Sequence, residues 1–178
     1  MNKSGLAVTI VLPAKNEAES LSTLLPELRS TLPDAEIIVV DDGSEDDTAS
    51  ICSSQDVRCI RHQYSLGNGA AIKSGARAAS GDVIVFMDAD GQHSPTDVPR
   101  LLECIEEGYD MVVGARGSES QASTGRGLAN RFYNRVSSWV VGHKIEDLTS
   151  GFRAVRTKNS KNSCIYCPTA FPIQQRSL

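Results

Sequence analysis

Residues 82–93 have the sequence DVIVFMDADGQH, a β-branched apolar run that passes directly into a turn rich in carboxylates. A short apolar run bounded by turn-forming residues predicts a buried strand. A second stretch, EIIVVDDGS at residues 36–44, repeats the pattern. Carboxylates that follow the carboxyl ends of such strands lie at the edge where open α/β sheets bind ligands. The two stretches therefore predict an α/β fold with a ligand site at one edge of its sheet.

Apolar runs alternate with segments of helical spacing along the rest of the chain. Further strands are predicted at residues 7–12, 57–61 and 111–113, and helices at residues 21–32, 44–51, 70–79, 94–107 and 125–141. Pro26 is expected to bend the first helix or to mark a short turn at its start. The alternation predicts a mostly parallel sheet with helices on both faces. We expect one domain over residues 1–156 and an irregular tail over residues 157–178, which lack any periodicity.

The overall composition narrows the class of protein. The chain has 178 residues, with 40% hydrophobic and 22% charged residues and a formal net charge of −4. These values are ordinary for a globular domain, and the negative charge argues against broad nucleic-acid binding. No segment has the apolar length of a membrane span, and the N-terminus has no signal-peptide pattern. We therefore expect a chain located in the cytoplasm or at the cytoplasmic face of a membrane.

Five cysteines are spread along the chain, and their number favours reduced thiols. Cys164 and Cys167 form a C-x-x-C pair. A zinc or redox role for this pair would need a second ligand pair or a thioredoxin-like context, and the sequence has neither. The pair is left without an assigned role.

The turn after the strand predicted at residues 83–87 supplies oxygen ligands. Asp88 and Asp90 are separated by one residue, and Gln92 and His93 follow. Taken alone, this pattern is also that of a simple turn, since Asp and Gly favour turns. Two acidic turns at neighbouring strand ends instead favour a site where Mg²⁺ or Mn²⁺ holds a diphosphate.

The loops after the first two strands have two possible roles each. Residues 41–44 (DDGS) are either a capped turn or a site where Asp41 accepts hydrogen bonds from a base or ribose. Residues 13–17 (PAKNE) are either a loop with Asn16 as a helix N-cap or one wall of a nucleotide-base site. Both loops are predicted to lie on the edge that also carries Asp88.

Several charged residues follow the acidic turns in the sequence. Arg116, Arg126 and Arg131 lie in a polar, Gly-rich stretch, and Asp147 precedes Arg153 in the segment DLTSGFR. Each arginine alone is explained as a solvated surface charge. Together they favour a phosphorylated acceptor, because the guanidinium group matches phosphate geometry. Asp147 and Arg153 could pair and shape the acceptor side.

These motifs in combination resemble glycosyltransferase family 2, in its dolichyl-phosphate mannosyltransferase-like branch. The matching stretches are VTIVLPAKNEAES, EIIVVDDGSEDDT, GNGAAIKSGARAASGDVIVFMDADGQHSP, MVVGAR, NRFYNR and DLTSGFRAVR, which lie within residues 8–156. The resemblance implies a Rossmann-like fold of GT-A type. It also implies metal-dependent, inverting transfer of a hexose from a GDP- or UDP-sugar to a polyprenyl or dolichyl phosphate.

The resemblance also implies roles for individual residues. Nucleotide-sugar binding is expected of Pro13, Ala14, Glu17, Asp41, Asp88, Ala89 and Asp90. The divalent metal is expected on Asp88, Asp90 and Gln92, the acceptor phosphate on Arg116, Arg131 and Arg153, and catalysis at Asp88, Asp90 and Arg116.

The sequence departs from the family in two places. Lys15 replaces an aromatic or aliphatic residue, and the segment from Thr157 onward is unrelated to the family's continuation, so a truncated catalytic domain is expected. The alternatives are a protein that binds nucleotide sugar without transferring it, and a sugar-1-phosphate nucleotidyltransferase. The latter would need a Gly-rich, basic loop after the first strand, and residues 13–17 differ from that pattern.

Overall fold

A computed structural model of the chain describes residues 5–115, 151–157 and 173–177. The elements within these ranges are β1 (Val8–Ala14), α1 (Ala18–Thr31), β2 (Glu36–Asp41), α2 (Thr48–Ser54), β3 (Arg58–Arg61), α3 (Asn68–Ala78), β4 (Val83–Phe86), α4 (Val98–Glu106), β5 (Met111–Ala115), β6 (Arg153–Arg156) and β7 (Ile173–Ser177). A 3₁₀ turn, Pro95–Asp97, leads into α4. Strands and helices alternate through β5, as the sequence predicts.

The strands form one mixed sheet in the order β3-β2-β1-β4-β6-β5-β7. β1, β2, β3 and β4 are parallel, whereas β6 runs antiparallel to both β4 and β5. The carboxyl ends of the four parallel strands therefore share one edge of the sheet. Because β6 runs the other way, its first residue, Arg153, lies at that same edge, opposite Phe86.

Side chains on the two faces of the sheet belong to separate hydrophobic clusters. Ile10 and Leu12 of β1 pack with Leu25 of α1 on one face. Val11, between them, packs with Ile72 of α3 on the other. This alternation follows from the two-residue period of a strand, and burial on both faces explains why the strands are continuous apolar runs.

Pro26 lies inside helix α1, so the predicted short turn at the helix start is wrong, while the predicted bend stays a prediction. The helix runs without a break through Pro26 from Ala18 to Thr31. Four leucines that flank the proline, Leu21, Leu24, Leu25 and Leu28, are buried. Burying one such side chain gains about 1.5–3 kcal/mol, so together the leucines outweigh the roughly 3 kcal/mol cost of an internal proline.

The expected irregular tail is wrong for residues 173–177. These residues form β7, which pairs in parallel with β5 from Met111 to Ala115. The pairing uses backbone groups at the edge of β5, and side-chain periodicity does not reveal such pairing. The other tail residues, apart from Thr157, lie outside the described part, and the domain boundary at residue 156 remains a prediction. Among the described residues, Cys52, Cys59 and Cys104 form no disulfide with one another.

Candidate functional site

Asp41 and Asp88 follow two strands that flank the same neighbour. Asp41 ends β2, Asp88 comes two residues after β4, and β1 lies between these strands. Ala14, the last residue of β1, is paired with Asp41. Since neighbouring strands lie about 4.8 Å apart, β2 and β4 are separated by roughly 10 Å. The two acidic turns therefore share one edge of the sheet, at a spacing that a nucleotide diphosphate can span.

The Asp41 carboxylate is fully buried and only partly satisfied. Its Oδ1 accepts a hydrogen bond from the backbone N–H of Ser44 at 2.8 Å. Its Oδ2 has no hydrogen bond among the described residues. Nε of Arg61 lies 3.2 Å from Oδ2, so the two are an ion pair by distance without hydrogen-bond geometry. A buried acceptor without a hydrogen-bond donor costs about 1–3 kcal/mol, and the charge of Arg61 offsets part of that cost.

Asp42, the next residue, has a different role. Its carboxylate contacts His62 Nδ1 at 2.7 Å and accepts hydrogen bonds from Ser65 Oγ and the backbone N–H groups of Leu66 and Gly67. Burial favours a higher pKa for Asp42, but these hydrogen bonds outweigh it and hold its pKa well below the ordinary value. The carboxylate thus anchors the loop between β3 and α3 and has little capacity left for a ligand. The sequence DDGS alone does not indicate which of the two aspartates, Asp41 or Asp42, makes these hydrogen bonds.

The loops after β1 and β2 are tied to each other by hydrogen bonds. Asn16 donates its backbone N–H to Ser44 Oγ at 2.9 Å, and its Oδ1 accepts the N–H of Glu45 at 2.9 Å. Glu17 donates its N–H to Thr48 Oγ1 at 3.1 Å. The expected N-cap role of Asn16 is therefore wrong, because Glu17 occupies that position and Asn16 instead bridges the two loops. The bridge fixes Pro13 and Ala14 beside Asp41.

The start of α2 also differs from the prediction. Asp47 is the N-cap residue and α2 begins at Thr48, four residues after the helix start that the sequence predicts at residue 44. Asp46 accepts hydrogen bonds from the backbone N–H groups of Ala18 and Thr48. One carboxylate thus binds the first turns of both α1 and α2, which sequence spacing did not indicate.

The residues of the turn after β4 differ in their exposure to solvent. Asp88 is half-buried, Ala89 is buried, and Asp90 and Gln92 are exposed. Asp90 Oδ1 accepts the N–H of Gln92 at 3.0 Å, which closes the turn. Carboxylate and amide oxygens suit Mg²⁺ or Mn²⁺. Within the described ranges no group of three or more His, Cys, Asp or Glu side chains could hold a metal ion. The oxygen atoms of Asp88, Asp90 and Gln92 are thus of the kind that fits such a metal.

His93 ends this turn inside the protein. Its ring is buried and stacks on the ring of Phe152, with centroids 5.0 Å apart and planes at 18°. The sequence left His93 without a role, and the stack explains its burial. Phe152 directly precedes β6, so the segment that leads into this strand contacts the carboxylate turn.

The predicted acceptor residues are only partly described. Arg153 lies partly buried at the start of β6, on the edge that carries Asp88. The other charged residues and the C-x-x-C pair fall outside the described ranges: Arg116, Arg126, Arg131, Asp147, Cys164 and Cys167. No helix in the described part is both long enough and apolar enough to cross a bilayer.

The sheet order, the loops and the acidic edge define a Rossmann-like α/β domain of GT-A type. The family described as Glycosyl transferase family 2 matches residues 9–176. The chain therefore belongs to glycosyl transferase family 2.

The curated relatives carry the name undecaprenyl-phosphate 4-deoxy-4-formamido-L-arabinose transferase. The protein from Photorhabdus laumondii is 34% identical over 159 residues, which cover 84% of this chain and 49% of the relative. The protein from Yersinia enterocolitica is 36% identical over 160 residues, covering 84% and 48%. The chain thus spans about half the length of these relatives.

Solved structures share the fold. Glucosyl-3-phosphoglycerate synthase from Mycobacterium tuberculosis, in complex with Mn²⁺, uridine diphosphate and glucosyl-3-phosphoglycerate, has a TM-score of 0.70 and 25% identity. The match covers 88% of this chain and 59% of the synthase. Mannosyl-3-phosphoglycerate synthase from Rubrobacter xylanophilus has a TM-score of 0.72 at 23% identity and covers 86% of this chain and 54% of the synthase, a likeness of fold alone.

Proposed function

We propose that the chain binds a nucleotide diphosphate sugar and a divalent metal at the acidic edge and supports transfer of the sugar to a polyprenyl phosphate. The observation that carries the proposal is the shared edge of Asp41 and Asp88, with an unsatisfied buried oxygen on Asp41. The names of the undecaprenyl-phosphate relatives support the acceptor class. The Mn²⁺ and uridine diphosphate in the mycobacterial synthase support the donor class.

The nucleoside is proposed to lie between the first two loops. Oδ2 of Asp41 accepts only, so it selects a base edge or ribose group that presents an N–H or O–H. Uracil offers its N3–H as such a donor, and guanine offers its N1–H. Pro13 and Ala14 form the adjoining wall, and Glu17 is held close by its backbone hydrogen bond to Thr48. These contacts orient the donor before any chemistry takes place.

The diphosphate is proposed to lie toward the turn after β4. Asp88 and Asp90, with Gln92, would hold Mg²⁺ or Mn²⁺ against its oxygens. Such a metal supplies Lewis-acid stabilisation of the charge that grows on the leaving diphosphate. Asp88 is only half-buried, so its carboxylate is partly accessible to a metal at this edge.

The acceptor phosphate needs positioning more than deprotonation. It is already anionic near neutral pH, so its oxygen can attack the anomeric carbon as the bond to the diphosphate breaks, with inversion at that carbon. The two described histidines near this edge are engaged, His62 with Asp42 and His93 with Phe152. Arg153 at the same edge is proposed to draw the acceptor phosphate toward Asp88, together with Arg116 and Arg131. A lipid acceptor would bring this edge to a membrane surface.

Calorimetry with UDP and GDP, each with and without Mn²⁺, tests the donor site. Asp90→Ala should weaken metal-dependent nucleotide binding at least about tenfold, because it removes a ligand oxygen. Asp34→Ala is the matched control, since Asp34 is exposed at the other end of the sheet, between α1 and β2. Unchanged metal-dependent affinity in Asp90→Ala would contradict the metal assignment.

A further inference from the structure

Gly151 lies against the carboxyl group of Asp88. If a Cβ were present on Gly151, it would lie 2.6 Å from Oδ1 and 2.7 Å from Cγ of Asp88, and closer still to Oδ2. The nearest atoms to that position all belong to this one carboxyl group. β4 pairs with β6 so that Phe86 faces Arg153, and continuing the register by two residues puts Gly151 opposite Asp88.

The next residue, Phe152, holds the other end of the same turn. Its ring stacks on His93, and its backbone carbonyl accepts the N–H of Gly114 from β5 at 2.9 Å. Phe152 is fully buried. Gly151 therefore contacts the start of the turn at Asp88, and Phe152 contacts its end at His93. Phe152 is also hydrogen-bonded to β5.

We propose that Gly151 and Phe152 form a clamp that fixes the Asp88 carboxylate in the orientation that metal and diphosphate binding require. The inference rests on the proposed function of Asp88 and makes Gly151 a positioning residue. Ligand groups lose affinity when their support lets them shift by a fraction of an ångström, so the neighbours of a ligand carboxylate matter nearly as much as the carboxylate. Glycine alone allows backbone to lie in contact with this side chain.

Alanine at Gly151 should move the carboxylate while leaving the fold intact. The clash would be with the end of a side chain that can rotate, and not with backbone. We therefore expect Gly151→Ala to stay folded and to bind UDP with Mn²⁺ at least about tenfold more weakly, with metal-free UDP affinity unchanged, because the Asp41 side is untouched. Val155→Ala is the control, since Val155 lies in β6 opposite Ile84, four residues before Asp88, and packs in a different hydrophobic cluster from Phe152.

A second measurement reports on the side chain directly. The ¹³Cγ resonance of Asp88 should shift in Gly151→Ala and stay in place in Val155→Ala, whether or not nucleotide is present. An unchanged Asp88 resonance, or wild-type Mn²⁺–UDP affinity in Gly151→Ala, would overturn the clamp. If the wild-type chain shows no metal-dependent binding, the proposed function is overturned, and the Asp88 resonance alone then decides whether Gly151 holds the carboxylate in place.

Discussion

Asp41 and Asp42 are adjacent and both buried, yet their carboxylates do different work. Asp42 faces donors from four residues of one loop. Asp41 Oδ1 receives one backbone hydrogen bond, and its Oδ2 receives none among the described residues. A fully satisfied carboxylate stabilises structure, whereas an unsatisfied one gains from a ligand. Asp42 therefore organises a loop, and Asp41 is the better candidate for ligand recognition.

Asp42→Asn should lower the free energy of unfolding by about 2 kcal/mol at neutral pH, because the amide replaces an acceptor with a donor facing other donors. The folded-state pKa of Asp42 is depressed, so its contribution is present above the unfolded pKa of about 3.9 and is lost as the pH falls toward the folded pKa. Urea unfolding of both proteins should show a difference that shrinks below about pH 4.

Asp47→Asn is the control for this measurement, since Asp47 is exposed and makes no side-chain cap hydrogen bond. It should leave stability within about 0.5 kcal/mol of wild type. A pH-independent loss in Asp42→Asn would show that the ionised carboxylate is not the stabilising species.

At the scale of elements, α3 lies unusually close to the sheet. Gly75 is buried on the inner face of α3, and a Cβ there would overlap a methyl group of Val11 and lie 3.2 Å from Cγ2 of Val40. Glycine in a helix normally costs about 1 kcal/mol relative to alanine. The close approach of helix to sheet explains why this position nevertheless lacks a side chain.

Gly75→Ala should be destabilising, by about 1 kcal/mol, because overpacking costs about 1–3 kcal/mol and exceeds the gain in helix propensity. In a Val11→Ala background the space is open, so the same change should become neutral or stabilising. Urea unfolding of the four proteins measures this coupling. A gain in stability from Gly75→Ala in the wild-type background would contradict the proposed contact.

At the scale of the whole molecule, the metal and the nucleotide should depend on each other. The proposed protein ligands are only the carboxylates of Asp88 and Asp90 and the side chain of Gln92, and Mg²⁺-type sites with one or two carboxylates are usually completed by substrate phosphates. Mn²⁺ alone should therefore leave the melting temperature nearly unchanged, while UDP and Mn²⁺ together should raise it. At ligand concentrations of about 100 times Kd the gain is about 2.7 kcal/mol, or roughly 5–10 °C for a chain of this size.

Thermal melts with UDP, Mn²⁺, both together, and both with a chelator measure this dependence. The chelator should return the melting temperature to the value with UDP alone. An equal rise with Mn²⁺ alone would show a complete protein metal site, and the diphosphate would then not be needed to finish the coordination.

Local sequence patterns predicted the positions of the main candidate site residues. Apolar runs predicted the parallel strands; Asp41 is the last residue of β2, and Asp88 and Asp90 come two and four residues after β4. Because parallel strands end at one edge, their shared location follows from the chain order and needs no long-range information. The helix start at Ser94 and Pro95 was predicted for the same reason, since its signal is contained in adjacent residues.

Tertiary structure alone decided which groups are satisfied and which side chains support the site. The four donors to Asp42 come from residues 20 to 25 positions away, and Gly151 reaches Asp88 only because β6 returns antiparallel to β4. β7 likewise depends on pairing with β5, which no pattern in IQQRS predicts. The sequence alone determined the kinds of strand, turn and ligand atom, because those depend on neighbours in the chain. Hydrogen-bond satisfaction, close backbone approach and strand pairing depend on residues far apart in sequence, so only the folded chain determines them.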